Sequence, residues 1–419
     1  MKIDFLKRNR QKFQEKIENN SVALVHANTL YASSADMHFA FEADRDFFYL
    51  TGLKLPDFIY FVEKTEKEVK ETLFVYRKDE LEEKWTGYRY TKEELTAMSG
   101  IENIAYLDQF HHHFASAMAK NQHKTLWINT PRATTWKAYT SPQGKMSEEL
   151  SQKYPYLQIK HIGEMMMPLR AVKQEDEVAL IRQAAEVTNK GIKHMMRVSR
   201  EGISEKELEA AFTYEVIKAD ATMSFSPIIA SGANGLVLHY DSNDSIIEKD
   251  ALVLADVGAA KDYYCADVTR TFPAGGKFTN MQRKIYDIVL TANERAIACV
   301  KEGVSFAEIE QCAQEVFYNG LKDLEILTSK DELRNYYYHT IGHSLGLDAH
   351  DSLDKTIALA AGMIITIEPG LYIKQLGIGI RIEDDVLVTK DGCEVLTKEI
   401  IKQADEIENY MQRKNIHAE

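Results

Sequence analysis

The sequence is poor in cysteine, with four among 419 residues, and the four form neither a CxxC pair nor any regular spacing. Structural disulfides and cysteine-rich metal sites usually show such a pattern. In a chain of this length, we therefore expect reduced thiols in the core of a cytoplasmic protein.

Long hydrophobic runs are also missing. The longest, Ile357 to Ile367, contains Gly and Thr and stops at Glu368, well short of the ~20 residues that cross a bilayer. Residues 1–17 carry charge throughout and have no apolar core of a secretory signal. We therefore expect no membrane partner.

Basic residues do not prevail either. The chain has 51 Lys and Arg against 64 Asp and Glu, a net charge of −13, and no dense Lys/Arg cluster. Such a chain repels phosphate backbones, which disfavours nucleic-acid binding. Hydrophobic residues at 45% and charged residues at 27% are typical of globular proteins. The length of 419 residues predicts two or three domains.

The order of predicted elements gives an α/β (α+β) fold class. The patterns predict strands near 21–30, 58–62, 73–76 and 125–128, and helices near 4–18, 91–98 and 144–153. Pro168 should interrupt regular structure, and a long amphipathic helix should follow from about 174. We place the boundary there, with an amino-terminal α/β domain at 1–167 and a second domain at 168–419.

The second domain contains a short internal repeat. Gly202-Ile203-Ser204 is followed by Glu207, and Gly303-Val304-Ser305 by Glu308. In each copy a Gly should end one helix, and the Ser and Glu should form a capping box at the start of the next. Each copy follows a long predicted helix (174–198 and 280–299) and precedes strands, which predicts two related halves.

Two pairs of carboxylates lie in apolar strand-like sequence. A hairpin centred between Lys261 and Asp262 places Asp256 directly opposite Asp267. Opposed side chains lie ~4.5–5.5 Å apart. Two carboxylates that close cannot both stay ionised without a proton or a cation between them.

The second pair follows from a hairpin centred between Gln375 and Leu376. It places Glu368 opposite Glu383, with irregular pairing at Pro369, which cannot donate a ladder hydrogen bond. Arg381 lies two residues from Glu383 and should share its face. Three histidines beside glycines or apolar segments, His239, His343 and His350, are further candidates. Four carboxylates and one imidazole suit two hard divalent cations, such as Mn²⁺ or Mg²⁺.

Five segments of the second domain resemble the metal-site signatures of the pita-bread metallopeptidases. They are LADVGA, CADVTRTFPAGGKFT, GHSLGLDAHD, TIEPGLYI and IRIEDDVLVT. Within that superfamily they are most similar to aminopeptidase P, the Xaa-Pro aminopeptidases. The segment FEADRDFFYLTG (Phe41–Gly52) also resembles the amino-terminal domain of that group.

The resemblance implies a pita-bread catalytic domain with a dinuclear site, most often manganese. Its metal ligands would be Asp256, Asp267, His343, Glu368 and Glu383. The activity implied is release of the first residue from peptides with proline second, by attack of a metal-bridging hydroxide on the Xaa-Pro carbonyl.

The resemblance also assigns the remaining site residues. Glu368 would relay the proton, His239 and His350 would hydrogen-bond the oxyanion, and Arg381 would orient the acidic ligands. Trp85 resembles a family tryptophan that reaches a neighbouring subunit's active site, which would fit a homo-oligomer (dimer or tetramer); a half-buried aromatic of the small domain is the alternative.

Other activities remain open on the sequence alone. Prolidase shares the metal chemistry but is limited to dipeptides, and ligand motifs do not separate the two. Methionine aminopeptidases lack a large amino-terminal domain of this kind. A catalytically silent pita-bread protein that binds partners would usually lack part of the ligand set, and here the set is complete.

Overall fold

The computed structural model describes residues 2–121, 123–130 and 141–412. The chain divides into two compact units, residues 1–169 and 170–419. Among the described residues, no helix is both long and apolar enough to cross a membrane.

The first unit contains helices and strands in alternation. In chain order they are α1 (Ile3–Lys16), β1 (Ser21–His26), β2 (Ala32–Ser34), β3 (Met37–His38), α2 (Arg45–Thr51), β4 (Ile59–Lys64), β5 (Val69–Val75), α3 (Glu80–Thr86), α4 (Lys92–Ser99), β6 (Ile104–Tyr106), α5 (Phe110–Asn121), β7 (Thr125–Ile128), α6 (Pro142–Lys153), β8 (Gln158–His161) and α7 (Gly163–Ala171). The strand order of its main sheet is β6-β5-β4-β1-β7-β8. Strand β4 pairs antiparallel with β1 and β5, whereas β1–β7, β5–β6 and β7–β8 are parallel pairs.

The core of this unit forms where apolar strands meet helix α5. Every residue of β1 is buried, as expected for a strand covered on both faces. Phe61 and Phe74 from the sheet contact Phe110 of α5. The predicted helices and strands of this unit are confirmed to within a few residues. One prediction is wrong, because Pro168 lies inside helix α7 rather than ending regular structure.

The second unit repeats an order of helices followed by strands. Its elements are α8 (Glu175–Val198), α9 (Glu205–Lys218), β9 (Thr222–Met223), β10 (Ile228–Ser231), β11 (Leu252–Val257), β12 (Ala259–Lys261), β13 (Tyr264–Cys265), β14 (Val268–Pro273), α10 (Asn280–Cys299), α11 (Phe306–Asp323), β15 (Ile364–Ile367), β16 (Gly370–Ile373), β17 (Ile378–Arg381), β18 (Asp384–Val388), β19 (Cys393–Val395) and α12 (Ala404–Gln412). The first helix pair precedes the sheet β10-β11-β14, and the second precedes β15-β18-β19.

The two predicted capping boxes are both present. Ser204 and Glu207 exchange side-chain and backbone hydrogen bonds at the start of α9, and Ser305 and Glu308 do the same at α11. The preceding Gly202 and Gly303 have φ of +86° and +87°, a conformation in which a Cβ atom is strained. The two halves therefore share the local geometry that turns one helix into the next.

One expectation about cysteine is corrected. Cys299, at the end of α10, forms a disulfide with Cys312 of α11, so this pair is not reduced. Cysteine spacing does not indicate this contact, which arises because α10 and α11 pack side by side. Cys265 and Cys393 take part in no disulfide among the described residues, and Cys265 is buried.

Candidate metal centre and active site

The first carboxylate pair is close in space, but its predicted register is wrong. Asp256 of β11 lies opposite Thr269 of β14, two residues beyond the predicted partner Asp267. The cause is the turn, because Asp262 and Tyr263 both have positive φ (48° and 66°) and form a two-residue hairpin loop. A shift of two residues preserves the face of a strand, so Asp267 still points toward Asp256.

The second predicted register is confirmed. Gly370 pairs with Arg381 in the ladder β16–β17, and Ile367 pairs with Asp384 in β15–β18. Glu368 and Glu383 stand between these two ladders, opposite each other. The pairing is interrupted there beside Pro369, as expected of a residue that has no backbone N–H.

The five residues predicted as ligands converge on one spot. Ligand atoms lie within 4.8 Å of one another in each of three overlapping groups. The groups are Asp256, Asp267, Glu383; His343, Glu368, Glu383; and Asp267, His343, His350. His350, predicted to line the site rather than to bind metal, is therefore also within reach of the cluster.

The acidic residues of this cluster are strongly perturbed. Burial raises the pKa of Asp267 well above its usual value, and repulsion by Glu383 and Asp256 adds to this. Burial and the charge of Glu368 raise the pKa of Glu383 in the same way. Burial raises the pKa of Glu368 to about 7. A set of buried acids that resist ionisation is typical of a site completed by a cation.

Arg381 forms a hydrogen bond with Asp256. Its guanidinium donates to Asp256 Oδ2 at 2.7 Å, to Thr269 Oγ1 at 2.9 Å and to the Tyr372 hydroxyl at 2.9 Å. The Thr269 hydroxyl in turn donates to Glu383 Oε2 at 2.7 Å. Arg381 is therefore bonded directly to Asp256 and linked through Thr269 to Glu383.

The imidazole of His343 lies beside the acidic residues. His343 Nε2 is 3.5 Å from Asp267 Oδ2 and 3.8 Å from Glu368 Oε1. Burial and the neighbouring His350 lower the pKa of His343 to about 4, so the ring is neutral at pH 7, as a metal ligand must be. The rings of His343 and His350 have centroids 4.1 Å apart. His239 is exposed and close enough for its charge to act on His350.

Sequence reasoning missed two polar residues beside the cluster. His339 Nδ1 lies 3.8 Å from Glu368 Oε2, and its Nε2 is 2.9 Å from the Tyr372 hydroxyl. Hydrogen bonds run from Asp256 through Arg381 and Tyr372 to the His339 ring, which lies 3.8 Å from Glu368 Oε2. In the sequence, His339 is marked only by its position four residues before His343. That spacing is too weak a signal to identify it.

Glycines allow the site strands to approach closely. A Cβ atom on Gly258 would collide with the Ala266 carbonyl, on Gly342 with the Thr366 carbonyl, and on Gly379 with the carbonyl of Gly235. In the sequence, Gly258 and Gly342 lie within two residues of Asp256 and His343, and Gly379 lies two residues before Arg381. The close backbone contacts they permit bring the carboxylates together.

The residues of this cluster fit a pair of divalent metal ions. The donor set is four carboxylates and a neutral imidazole, which hard divalent ions prefer. Asp256 Oδ1 is buried and has no hydrogen-bond partner among the described residues, although buried polar atoms are normally paired. A cation would satisfy that oxygen and relieve the repulsion among the acids.

Comparisons with known proteins agree with this geometry. The model of metallopeptidase family M24 matches residues 179–390, and that of the aminopeptidase P amino-terminal domain matches residues 6–127. The chain belongs to the aminopeptidase P group of metallopeptidase family M24. The predicted fold class, an amino-terminal α/β domain followed by the catalytic fold of this family, is thereby confirmed.

Individual relatives are similar along their whole length. The Xaa-Pro aminopeptidase of Haemophilus influenzae is 31% identical, over 98% of this chain and 97% of its own. A candidate aminopeptidase P from Bacillus anthracis is 37% identical with a TM-score of 0.97, covering 100% of both chains. Aminopeptidase P from Escherichia coli with the inhibitor Pro-Leu is 30% identical with a TM-score of 0.91, again covering 100% of both chains.

Proposed function

We propose that this protein is a metal-dependent Xaa-Pro aminopeptidase, which releases the first residue of peptides with proline in second position. The convergence of the five cluster residues carries the proposal, because it supplies the donor set of a hydrolytic metal centre. Family membership supports the reaction class, and the names of full-length relatives support the Xaa-Pro substrate.

We propose that Asp256, Asp267, His343, Glu368 and Glu383 hold two metal ions, manganese rather than zinc, as the oxygen-rich donor set favours. When bound, the metal pair lowers the pKa of water so that hydroxide is available near neutral pH. A zinc-substituted form of the E. coli enzyme exists in complex with product, so metal identity is part of the test.

The remaining chemistry belongs to side chains of this protein. Glu368 would take a proton from the attacking water and pass it to the proline nitrogen, which carries no hydrogen before the bond breaks. His350 and His239 would donate hydrogen bonds to the developing oxyanion, and losing one such donor typically costs ~10²–10³ in rate. Arg381 would keep Asp256 in place through its 2.7 Å hydrogen bond.

A substrate comparison tests this proposal. Metal-free protein is reloaded with Mn²⁺ or Zn²⁺ and offered Arg-Pro-Pro, Arg-Ala-Ala and Xaa-Pro dipeptides. We expect release of arginine from Arg-Pro-Pro, fastest with Mn²⁺, and no cleavage of Arg-Ala-Ala. Cleavage of dipeptides alone would identify a prolidase, and no cleavage with any metal would identify a silent binding protein.

The proposal includes the organisation of the chain and its assembly. We propose domains at 1–167 and 168–419, which the compact units and the family matches support. We also propose a homo-oligomer, supported by the exposed Trp85, Leu81 and Tyr88 (84%, 66% and 55% exposed). Sedimentation of Trp85→Ala against the unmodified protein tests the assembly, and cell fractionation tests a cytoplasmic location.

A further inference from the structure

His239 lies on a segment with little regular structure. The segment 231–245 begins at Ser231, the last residue of β10, contains one short 3-10 turn, Gly232–Leu236, and otherwise runs as loop. Among the described residues, none hydrogen-bonds to the exposed His239 ring. The path of the segment must therefore determine where the ring lies.

One buried carboxylate ties this segment together. Glu205, the first residue of helix α9, is 0% exposed. Its Oε1 accepts from Ser231 N at 2.6 Å, Ser231 Oγ at 2.8 Å and Asn234 Nδ2 at 3.0 Å. Its Oε2 accepts from the Tyr240 hydroxyl at 2.8 Å and from Ser245 N at 3.0 Å. Both ends of the segment and the residue next to His239 thus bind one side chain.

The start of helix α9 does not itself require this carboxylate. Capping is done by Ser204 and Glu207. In the second half of the unit, the position equivalent to Glu205 is Phe306, a buried apolar residue that follows Ser305. Because burying a carboxylate is costly unless hydrogen bonds compensate it, its presence here is explained by the five donors of the segment 231–245.

We propose that Glu205 is a positioning residue that holds the segment 231–245 so that His239 lies at the substrate. This inference rests on the proposed function, since His239 acts only if the peptide binds there. The contribution of Glu205 to the reaction passes through His239 rather than through the metal centre.

A double-mutant cycle in the metal-loaded enzyme tests whether Glu205 affects the reaction through His239. In Glu205→Gln an amide N–H₂ replaces one acceptor oxygen and faces donors, so the segment loses its anchor. We expect kcat/KM on Arg-Pro-Pro to fall by about 10- to 100-fold, since a displacement of 1 Å can cost about 10²-fold. The variant combining Glu205→Gln with His239→Ala should be no slower than His239→Ala alone. The matched control is Glu207→Gln, which lies two residues further along α9 and is bonded to Ser204. This variant should keep normal activity.

The proposal would be overturned if kcat/KM of the double variant fell by the product of the two single-variant losses. Loss of bound metal from Glu205→Gln would also overturn it. Should Glu205→Gln not fold, Tyr240→Phe takes its place in the cycle, because it removes the 2.8 Å bond beside His239 and leaves the carboxylate intact.

Amide hydrogen exchange gives a readout that does not depend on activity. Exchange of residues 231–245 should be at least ~10-fold faster in Glu205→Gln than in the unmodified protein, and unchanged in Glu207→Gln. Equal exchange in all three proteins would overturn the anchoring role. Failure of the unmodified enzyme to cleave Arg-Pro-Pro would instead refute the proposed function, while the exchange result would still decide whether Glu205 holds the segment.

Discussion

Removing one carboxylate should stabilise the metal-free protein and weaken its response to metal. Asp267 lies in a group with Asp256 and Glu383 whose ligand atoms are within 4.8 Å of one another. At 4.8 Å and an effective dielectric constant of about 20, each ionised pair repels by about 3.5 kcal/mol. Asp267→Asn therefore relieves about 7 kcal/mol over two pairs when all three acids are ionised, and less where a shared proton already relieves the repulsion.

The assay is thermal unfolding with and without Mn²⁺, combined with elemental analysis of bound metal. Metal at 100 times its Kd should stabilise the unmodified protein by about 2.7 kcal/mol. Asp267→Asn should unfold at or above the temperature of the unmodified metal-free protein and gain little from Mn²⁺. The control is Asp220→Asn, which removes a fully exposed carboxylate. A variant that is less stable without metal, yet binds two ions and gains the full shift, would refute the reasoning.

Two further substitutions test the packing and electrostatics of the second unit. Gly379→Ala places a Cβ atom against the carbonyl of Gly235. We therefore expect the unfolding free energy to fall by about 1–3 kcal/mol and the activity to be reduced. The control is Gly392→Ala, where the added atom meets nothing within 4 Å. Burial raises the pKa of Glu177 from 4.5 to about 7, so the folded protein holds a proton that the unfolded chain releases, and stability should fall as pH rises across that window. Urea unfolding of Glu177→Gln should show that slope reduced by up to about 3 kcal/mol over the window, whereas the exposed Glu175→Gln should keep it.

Helix boundaries could be predicted because their signals are local. Ser204 with Glu207 and Ser305 with Glu308 satisfy backbone groups within one turn of the chain, so three-residue spacing is enough to identify them. The same reasoning failed at Pro168, where local sequence predicts a break and the structure has a helix. Local preferences are weak enough that tertiary packing can override them.

The two carboxylate pairs show what decides register. The ladders flanking Glu368 and Glu383 have the predicted register. The other hairpin turns at Asp262 and Tyr263, both at positive φ, a conformation that is rare for a bulky residue such as tyrosine. No glycine or asparagine marked that turn, and the register of Asp256 was therefore predicted two residues away from the observed one.

The contacts that position the site could not be predicted, because they join distant parts of the chain. Glu205 reaches Ser245 across 40 residues, and Arg381 reaches Asp256 across 125. No periodicity or spacing in a single sequence encodes such pairs. The four acidic residues of the cluster could be singled out because their carboxylates stand out in apolar strands, whereas the contacts that support them leave no such mark.

The charges of the neighbouring side chains are too few to neutralise the four carboxylates of the cluster. Arg381 contacts Asp256 directly, and Lys355, which is exposed, acts on Glu368 from a distance. His343 is neutral, so at most one of four negative charges is matched by a buried cation of the protein. With all four acids ionised, Arg381 leaves the cluster at a charge of −3, so one divalent ion would bring it to −1 and a second to +1. Arg381 alone therefore cannot neutralise the cluster, and at least one divalent ion is needed to bring its charge close to zero.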